Sequence, residues 1–545
     1  MRSILVPVAI GFLLLMIFPL LSLFSNSFLN EHGQLSIVHW QQLTESPGLF
    51  QAAWNTLWVA LTVTLITVPL AFAYAYAIQR TCIPLKGLWR VLGLSALLGP
   101  SLVGAISFVQ WFGNQGVLKS WLGETSIYGP LGIVLATVYS SFPHAFMILL
   151  VALATTDGRL YEAADAMKAH PIRKFMTVTL PGVRFGLISS AWVVFAYSIS
   201  EFGIPKVLGG NFKVLAVEIY TQVVGLQNFN QGAVVSIVLL IPVMVGFALT
   251  WRSQQKQQAL LTSRATLYKP PTSLLRDSVF LLFCIVLAAA MLAVIAMAIY
   301  SSLVKFWPYN LSLTLNHYTV GLVNAGVWDA YFNSIQLSLL TAAIGTPVIF
   351  FVAYLLEKTQ ASERTLKPMI RLAAALPMGI PGMVLGIGYI LFFNHPNNPL
   401  QDLYHTLLIM VLANVIHYYT PCHLTATTAL KNIDKEFEAV SASLKVSAFT
   451  TLWRVTLPIC TPAVLDIGRY LFVNSMTTVS ALVFLYSTET IPASVSILHL
   501  DEAGDMGAAA AMATLIILTS LFITTLYTLL TSLVFKRQMN WLRRS

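Results

Sequence analysis

Apolar runs close to twenty residues long recur along the whole of this 545-residue chain, and no other feature limits its fold as tightly. A run of that length crosses the ~30 Å hydrocarbon core of a bilayer as a helix, the one open-chain form whose backbone groups satisfy each other where water is absent. In the first half the runs fall at residues 4–25, 53–78, 91–113, 130–155, 184–205 and 231–251. In the second they fall at 278–303, 332–356, 370–393, 404–428, 460–486 and 508–534. The first run is long and no small-x-small cleavage pattern closes it, so it reads as a retained span rather than a leader. Composition agrees: 57% of residues are hydrophobic, 10% are charged and the mean hydropathy is +0.76, against roughly 25% charged in an average soluble domain. The expectation is an all-α integral membrane protein of about twelve transmembrane helices.

The charge of +10 follows the same plan. If the loops alternate sides, 26 of the 31 Lys and Arg residues fall on the side of the amino terminus. Lys119, Lys206, Lys213 and Lys305 fall on the other side, and Arg469 lies inside a span. Basic flanks resist translocation, so both termini are expected in the cytoplasm. The basic residues sit in short loops without the clustering and aromatic interleaving of a nucleic-acid surface, so no nucleic-acid partner is expected. Cys82, Cys284, Cys422 and Cys460 have no CxxC spacing and read as packing residues rather than a zinc site or disulfide framework.

Comparing the chain with itself at an offset near 278 reveals a duplication. Residues 53–76 match residues 331–354, pairing Asn55 with Asn333, Pro69 with Pro347 and Tyr76 with Tyr354. Further on, Asp157 pairs with Asp434, Lys168 with Lys445, and the VTLP at 178–181 with the VTLP at 455–458. Six spans per copy is an even number, so the copies start on the same side and are parallel repeats. The expected units are residues 1–252, a polar linker at 253–276 with a Pro-Pro break, and residues 277–545.

The second duplicated stretch, residues 157–181 and 434–458, falls between the fourth and fifth spans of each half on the basic side. Leu160, Ala163, Ala164 and Met167 oppose Arg159, Glu162 and Asp165, which predicts a short amphipathic helix. Pro171 should interrupt it, and Leu180-Pro181 should mark entry into the next span. A narrow, alanine-rich helix of this kind suits a groove on another protein.

This segment resembles the EAA loop of bacterial ABC-importer permeases, written Glu-Ala-Ala, three intervening residues, Gly, nine intervening residues, then hydrophobic-x-Leu-Pro. Glu162-Ala163-Ala164 and Leu180-Pro181 stand at that spacing, as do Leu457-Pro458 in the second copy. The chain departs from the pattern at the glycine, where Lys168 and Lys445 stand, and in the second copy, where Ala439 takes the Glu position and Glu438 precedes it. The resemblance implies a fold like that of type I ABC importer permeases and a helix gripped by a cytoplasmic ABC ATPase dimer. It also implies a periplasmic solute-binding protein as second partner, the bacterial inner membrane as location, and ATP and Mg used by the ATPase with no cofactor on this chain. Fused double permeases of this kind serve ferric iron, thiamine and phosphonates. Residues 200–242 and 474–516 look most like 2-aminoethylphosphonate permeases, so that solute is the expected cargo, with ferric iron, thiamine or a polyamine as alternatives.

No G-x-x-x-x-G-K-[ST] phosphate loop occurs, so energy must come from a separate subunit, and the chain is not expected to be an enzyme. His144, His417 and His423 lie singly on apolar helices and read as packing residues; no metal site is expected. Charges in spans cost roughly 2.5–3.5 kcal/mol each even on lenient scales, which singles out Glu201, Asp466 and Arg469 as candidates to line a path. Asp466 and Arg469, three apart, share a helix face. The loops at 29–50 and 487–507, the latter with Glu489, Asp501, Glu502 and Asp505, are expected to face outward and receive the binding protein. An ion-coupled secondary transporter would show midplane carboxylates and often inverted repeats. A membrane enzyme would need a catalytic constellation, and none is visible.

Overall fold

The computed structural model describes residues 2–30, 32–260, 268, 270–358, 366–434 and 436–542. Among them, nine helices are long and apolar enough to cross a membrane, or up to eleven if each of two sharply bent helix pairs counts as one span. The nine are α1 (Leu5–Asn26), α2 (Pro47–Arg80), α4 (Pro130–Ala154), α5 (Pro171–Ser200), α6 (Phe229–Ala248), α7 (Leu274–Leu303), α8 (Trp328–Lys358), α12 (Ala448–Thr477) and α13 (Met506–Val534). One helix of the first half, α3 (Ser101–Phe112), is too short to cross alone. In the second half, Leu366–Gly379 joins α9 (Gly382–Phe393) at 113°, and α10 (Leu407–His417) joins α11 (Tyr419–Lys431) at 55°.

The run at 91–113 is therefore not one continuous helix. Lys86–Gly93 and a short 3-10 turn precede α3, and the chain breaks at Gly99-Pro100. Its counterpart breaks at Ile380-Pro381. Proline lacks the N–H a helix needs and forces the residue before it out of the α region, and Gly99 (ψ 162) and Ile380 (ψ 113) are both extended. Outside the helices, Val304–Phe306 and Asn310–Leu313 form a small antiparallel hairpin.

The duplication is carried by matched contacts. Asp157 and Asp434 each cap a short helix, accepting from Arg159 N and Glu436 N at 3.1 Å. Asn55 donates to the carbonyl of Lys213 at 2.9 Å, and Asn333 to those of Glu489 at 2.7 Å and Ile491 at 3.3 Å. The next residue in each helix accepts a backbone N–H: Thr56 from Leu215 at 2.8 Å, Ser334 from Ala493 at 2.7 Å. These Asn-Thr and Asn-Ser pairs fasten the short helices Leu215–Tyr220 and Ala493–Glu502 to the bundle. The second of these helices is buried along Ala493–Leu498, so residues 487–507 are less a solvated loop than a clamped element; Glu489 and Glu502 remain exposed.

Within the first half α2, α4 and α5 pack as a triad, and α8, α11 and α12 form its counterpart. Small residues permit the closest approaches, since in lipid the gain comes from van der Waals contact rather than exclusion of water. A Cβ on Gly186 of α5 would lie 2.4 Å from that of Ala152 on α4.

The two sequence-defined halves are not packed as separate bodies, because each holds the other's first helix. Met16 and Leu23 of α1 lie in one core with Met383, Ile387 and Tyr389 of α9. The Tyr389 hydroxyl donates to Leu15 O at 2.8 Å, and Phe12 meets Tyr419 edge-on at 4.9 Å. In return, Cys284, Ala288 and Met291 of α7 join the core of the first half, and Ser107 and Trp111 of α3 donate to the carbonyls of Val294 and Ala293. The linker, helical as a continuation of α6 to Leu260, resumes at Tyr268 and from Pro270; residues 261–267 and 269 lie outside the described residues.

Candidate functional site: a central cavity and two duplicated segments

A cavity of about 330 Å³ opens where the helix breaks of the two halves meet. Gly99-Pro100-Ser101 and Ile380-Pro381-Gly382 supply backbone from the breaks. Trp192, Tyr197 and Glu201 come from α5 and its end, and Tyr470, Asn474 and Thr478 from the matching stretch of α12 and its end. His144 enters from α4, and His417, Tyr418 and Pro421 from the 55° bend between α10 and α11. Glycine is required at the second break: a Cβ on Gly382 would lie 2.4 Å from Ser480 Oγ and 3.1 Å from Ala481 N.

Glu201 sits at the C-terminal end of α5 in extended conformation (ψ 124). Its Oε1 accepts from Ser101 Oγ at 2.7 Å and from Ile204 N at 3.2 Å, and Tyr197 on the preceding turn also bonds to it. Among the described residues that line the cavity it is the only Asp, Glu, Lys or Arg. Tyr197 meets the His144 ring edge-on at 5.1 Å, and His417 lies 4.7 Å from the ring of Tyr418. Two of the three histidines expected to serve only in packing thus face the cavity; His423 instead stacks on Tyr419 at 5.5 Å. The helix breaks that bring these side chains together were hidden within apolar runs, although the Gly-Pro and Ile-Pro-Gly triplets mark them.

Asp466 and Arg469 do not line this cavity. They bond to each other across one helical turn, Arg469 Nη2 to Asp466 Oδ1 at 2.5 Å, with side chains 34% and 52% exposed. Of the three charged residues expected to line a path, Glu201 alone borders this cavity.

The duplicated segments take one shape twice. Gly158–Ala166 and Glu436–Ser443 are the short helices; each is followed by a turn and by a long helix, α5 or α12, that contains a π turn, Phe175–Thr179 or Leu452–Thr456. Leu180-Pro181 and Leu457-Pro458 follow those π turns and lie inside the long helices rather than at their start. The extra residue of a π turn accommodates the hydrogen bond that proline removes.

At the end of each short helix Lys168 and Lys445 have φ of 51° and 53°, the left-handed conformation favoured by glycine. The residues after them close the same wide turn, Ala169 N to Ala164 O at 3.0 Å and Val446 N to Ser441 O at 2.9 Å. The backbone of the glycine pattern is thus kept without glycine, and both lysine side chains are exposed.

The buried face of the first helix is Gly158, Tyr161 and Ala164, not the face led by Leu160 and Met167. Glu162 and Ala163 are exposed, and so are Leu160, Met167, Ile172 and Met176. Their partners at the repeat offset, Phe437, Leu444, Phe449 and Trp453, are exposed as well, as is Val440 opposite Ala163. Glu438 is the counterpart of Tyr161 rather than of Glu162 and binds Lys358 at 2.7 Å.

Residues 345–537 match the family model described as binding-protein-dependent transport system inner membrane component. That match falls within the second half of the chain, and the relatives that align along both halves are ABC-type transport permeases. It is similar to the ferric transport system permease protein FbpB of Actinobacillus pleuropneumoniae, 27% identical over 86% of this chain and 69% of that protein. It is equally similar, at 27%, to the putative ferric transport system permease protein FbpB 1 of Haemophilus influenzae, over 87% of this chain and 76% of the relative. The molybdenum transport system permease protein ModB of Azotobacter vinelandii, 29% identical, aligns over 89% of its own length with only 36% of this chain.

Proposed function

We propose that this chain is the transmembrane subunit of an ATP-driven importer, and that residues 157–181 and 434–458 each dock one subunit of a cytoplasmic ATPase dimer. The observation that carries the reading is the matched set of exposed apolar side chains, Leu160, Met167, Ile172 and Met176 against Phe437, Leu444, Phe449 and Trp453. Apolar side chains held outward at one register in both halves fit a pair of equivalent grooves. In this reading the duplicated segments lie in the cytoplasm, a solute-binding protein delivers cargo to the opposite face, and closure of the ATPase dimer rocks the halves about the cavity.

The cargo that suits the cavity is ferric iron rather than 2-aminoethylphosphonate. A phosphonate dianion asks for arginine or lysine, whereas the lining offers one carboxylate with tyrosine, histidine and hydroxyl groups, hard oxygen and imidazole donors that favour a cation. The similarity to two ferric permeases supports the same choice.

The test is uptake into proteoliposomes holding the chain with its ATPase and binding protein. Ferric uptake that requires ATP, with none of 2-aminoethylphosphonate, is the expected result. Uptake driven by an ion gradient without ATP would sink the importer reading, and ATP-driven uptake of the phosphonate would sink the cargo reading. Glu162→Arg and Leu444→Asp are expected to lose co-purification with the ATPase while inserting normally.

A further inference from the structure

We infer that each duplicated segment is tied to the membrane bundle by one cation at the end of the half's second span, and that the halves use different chemistry for the same tie. The inference rests on the docking role of the segments proposed above.

In the first half the cation is Arg80, the last residue of α2 and only 4% exposed. Its Nη2 donates to Leu153 O at 2.6 Å, and its guanidinium carbon lies 4.8 Å from the ring centre of Tyr161 on the buried face of the short helix. The linker completes the arrangement: Tyr268 stacks on Tyr161 at 4.3 Å and lies 5.5 Å from the same guanidinium carbon. Beyond Tyr268 the chain is laced to the corner after Arg80. Cys82 Sγ donates to Pro270 O at 3.4 Å, Cys82 N donates to Asp277 at 3.2 Å, and Arg276 donates to Pro271 O at 2.6 Å.

In the second half the equivalent of Arg80 is Lys358, the last residue of α8, with its side chain 6% exposed. Its Nζ donates to Ile433 O at 3.1 Å and pairs with Glu438 at 2.7 Å, and Glu438 holds the register of Tyr161. Both cations therefore bond a carbonyl near the end of the span before the segment and one side chain of its short helix. A guanidinium is planar and packs on an aromatic face, whereas an ammonium is a point charge that suits a carboxylate. The Glu438 side chain is 26% exposed, so the second tie is open to screening by salt, while the first is shielded. Tyr268 also carries the chain that leads into α7, so it joins the first segment to the start of the second half.

Arg80, Lys358 and Glu438 are positioning residues, and the test removes each tie and restores it with a conservative substitution. In the reconstituted complex Lys358→Met, which removes both the bond to Ile433 O and the pair with Glu438, is expected to lower solute moved per ATP by on the order of tenfold or more, with ATPase association retained. Lys358→Arg, which keeps a donor for both Ile433 O and Glu438, is expected to restore it. Tyr161→Leu, which removes the aromatic face under Arg80, should uncouple the first half, whereas Tyr161→Phe, which keeps that face, should leave it coupled. Independently of transport, melting of Lys358→Met, Glu438→Gln and the double variant in detergent should be non-additive. Additive melting, or normal solute per ATP in Lys358→Met, overturns the tie. A parent complex that shows no ATP-driven uptake overturns the importer reading and, with it, the coupling role, while the melting cycle still reports on the pairing itself.

Discussion

At the ends of α5 and α12 the two halves share a backbone and differ in the side chain it presents. Glu201 and Thr478 both follow the last residue of their helix in extended conformation, with ψ of 124 and 142, and both line the cavity. One offers a carboxylate and the other a hydroxyl. The same holds one turn earlier, where Tyr197 faces Asn474, and at the bend, where Ser140 matches His417. A pair of identical subunits would have to place two carboxylates around one cavity, and like charges at short range repel. Fusion allows one charge. The lesson is that the repeat fixes where the backbone opens, and single residues decide what the opening attracts.

The largest expected effect tests that asymmetry. Glu201→Ala removes the lone charge and leaves Ser101 Oγ and Ile204 N without their acceptor. Hydrogen bonds to charged groups contribute roughly 1.5–3 kcal/mol, so initial uptake rate should fall about ten- to hundredfold. Thr478→Val should cost less than about threefold by the same comparison of neutral with charged partners. Equal losses would mean the halves contribute alike.

The helix crossings distinguish the halves next. A methyl on Gly186 meets the Cβ of Ala152, which is fixed by its backbone, whereas one on Gly345 meets Leu471 Cδ1 at 2.8 Å and Val415 Cγ2 at 3.0 Å, the ends of side chains that can turn. Gly186→Ala should lower stability by roughly 1–3 kcal/mol and Gly345→Ala by less, read from melting in detergent.

A smaller effect concerns the contact between the halves. Lys206 of the first half bonds Glu502 of the second at 2.8 Å, beside Asp501. Burial, then the neighbouring Glu502, raise the Asp501 carboxyl from its ordinary 3.8 to about 6, with Lys206 acting the other way. Because the folded protein favours the neutral acid, this contribution to stability is full below the ordinary value and is lost as pH rises through about 6. The melting temperature should decline across that window, and Asp501→Asn should flatten the decline.

The smallest effect tests the likeness of the two segments. Lys168→Gly and Lys445→Gly relieve a left-handed conformation that costs an L-residue roughly 1–2 kcal/mol, offset by the greater freedom of glycine when unfolded, so each should stabilise by up to about 1 kcal/mol. A gain in one half alone would show that only one turn is strained.

Much of this was legible in the sequence. The long spans and the repeat follow from hydropathy and from polar letters in register, Asp157 and Asp434 among them. Asn55 and Asn333 were visible as a pair, but their partners were not, because a side chain reaching 158 residues along the chain leaves no local pattern. The helix breaks were lost because apolar letters continue through Pro100 and Pro381. Leu160 and Met167 lie outward, on the apolar side that the sequence assigns to a groove on another protein, while the inward face led by Tyr161 left no local sign, because its partner is an arginine 81 positions earlier in the chain. The exchange of first helices has no signature in composition at all.

That exchange has a mechanical consequence. With α1 lodged against α9 and α7 against α3, neither half can drift sideways in the plane of the bilayer without carrying a piece of the other. The pieces produced by a nick between the units would stay clasped, each still gripping a helix that belongs to its neighbour by chain but not by place. Both halves line the cavity between those clasped helices, so their relative placement sets its shape.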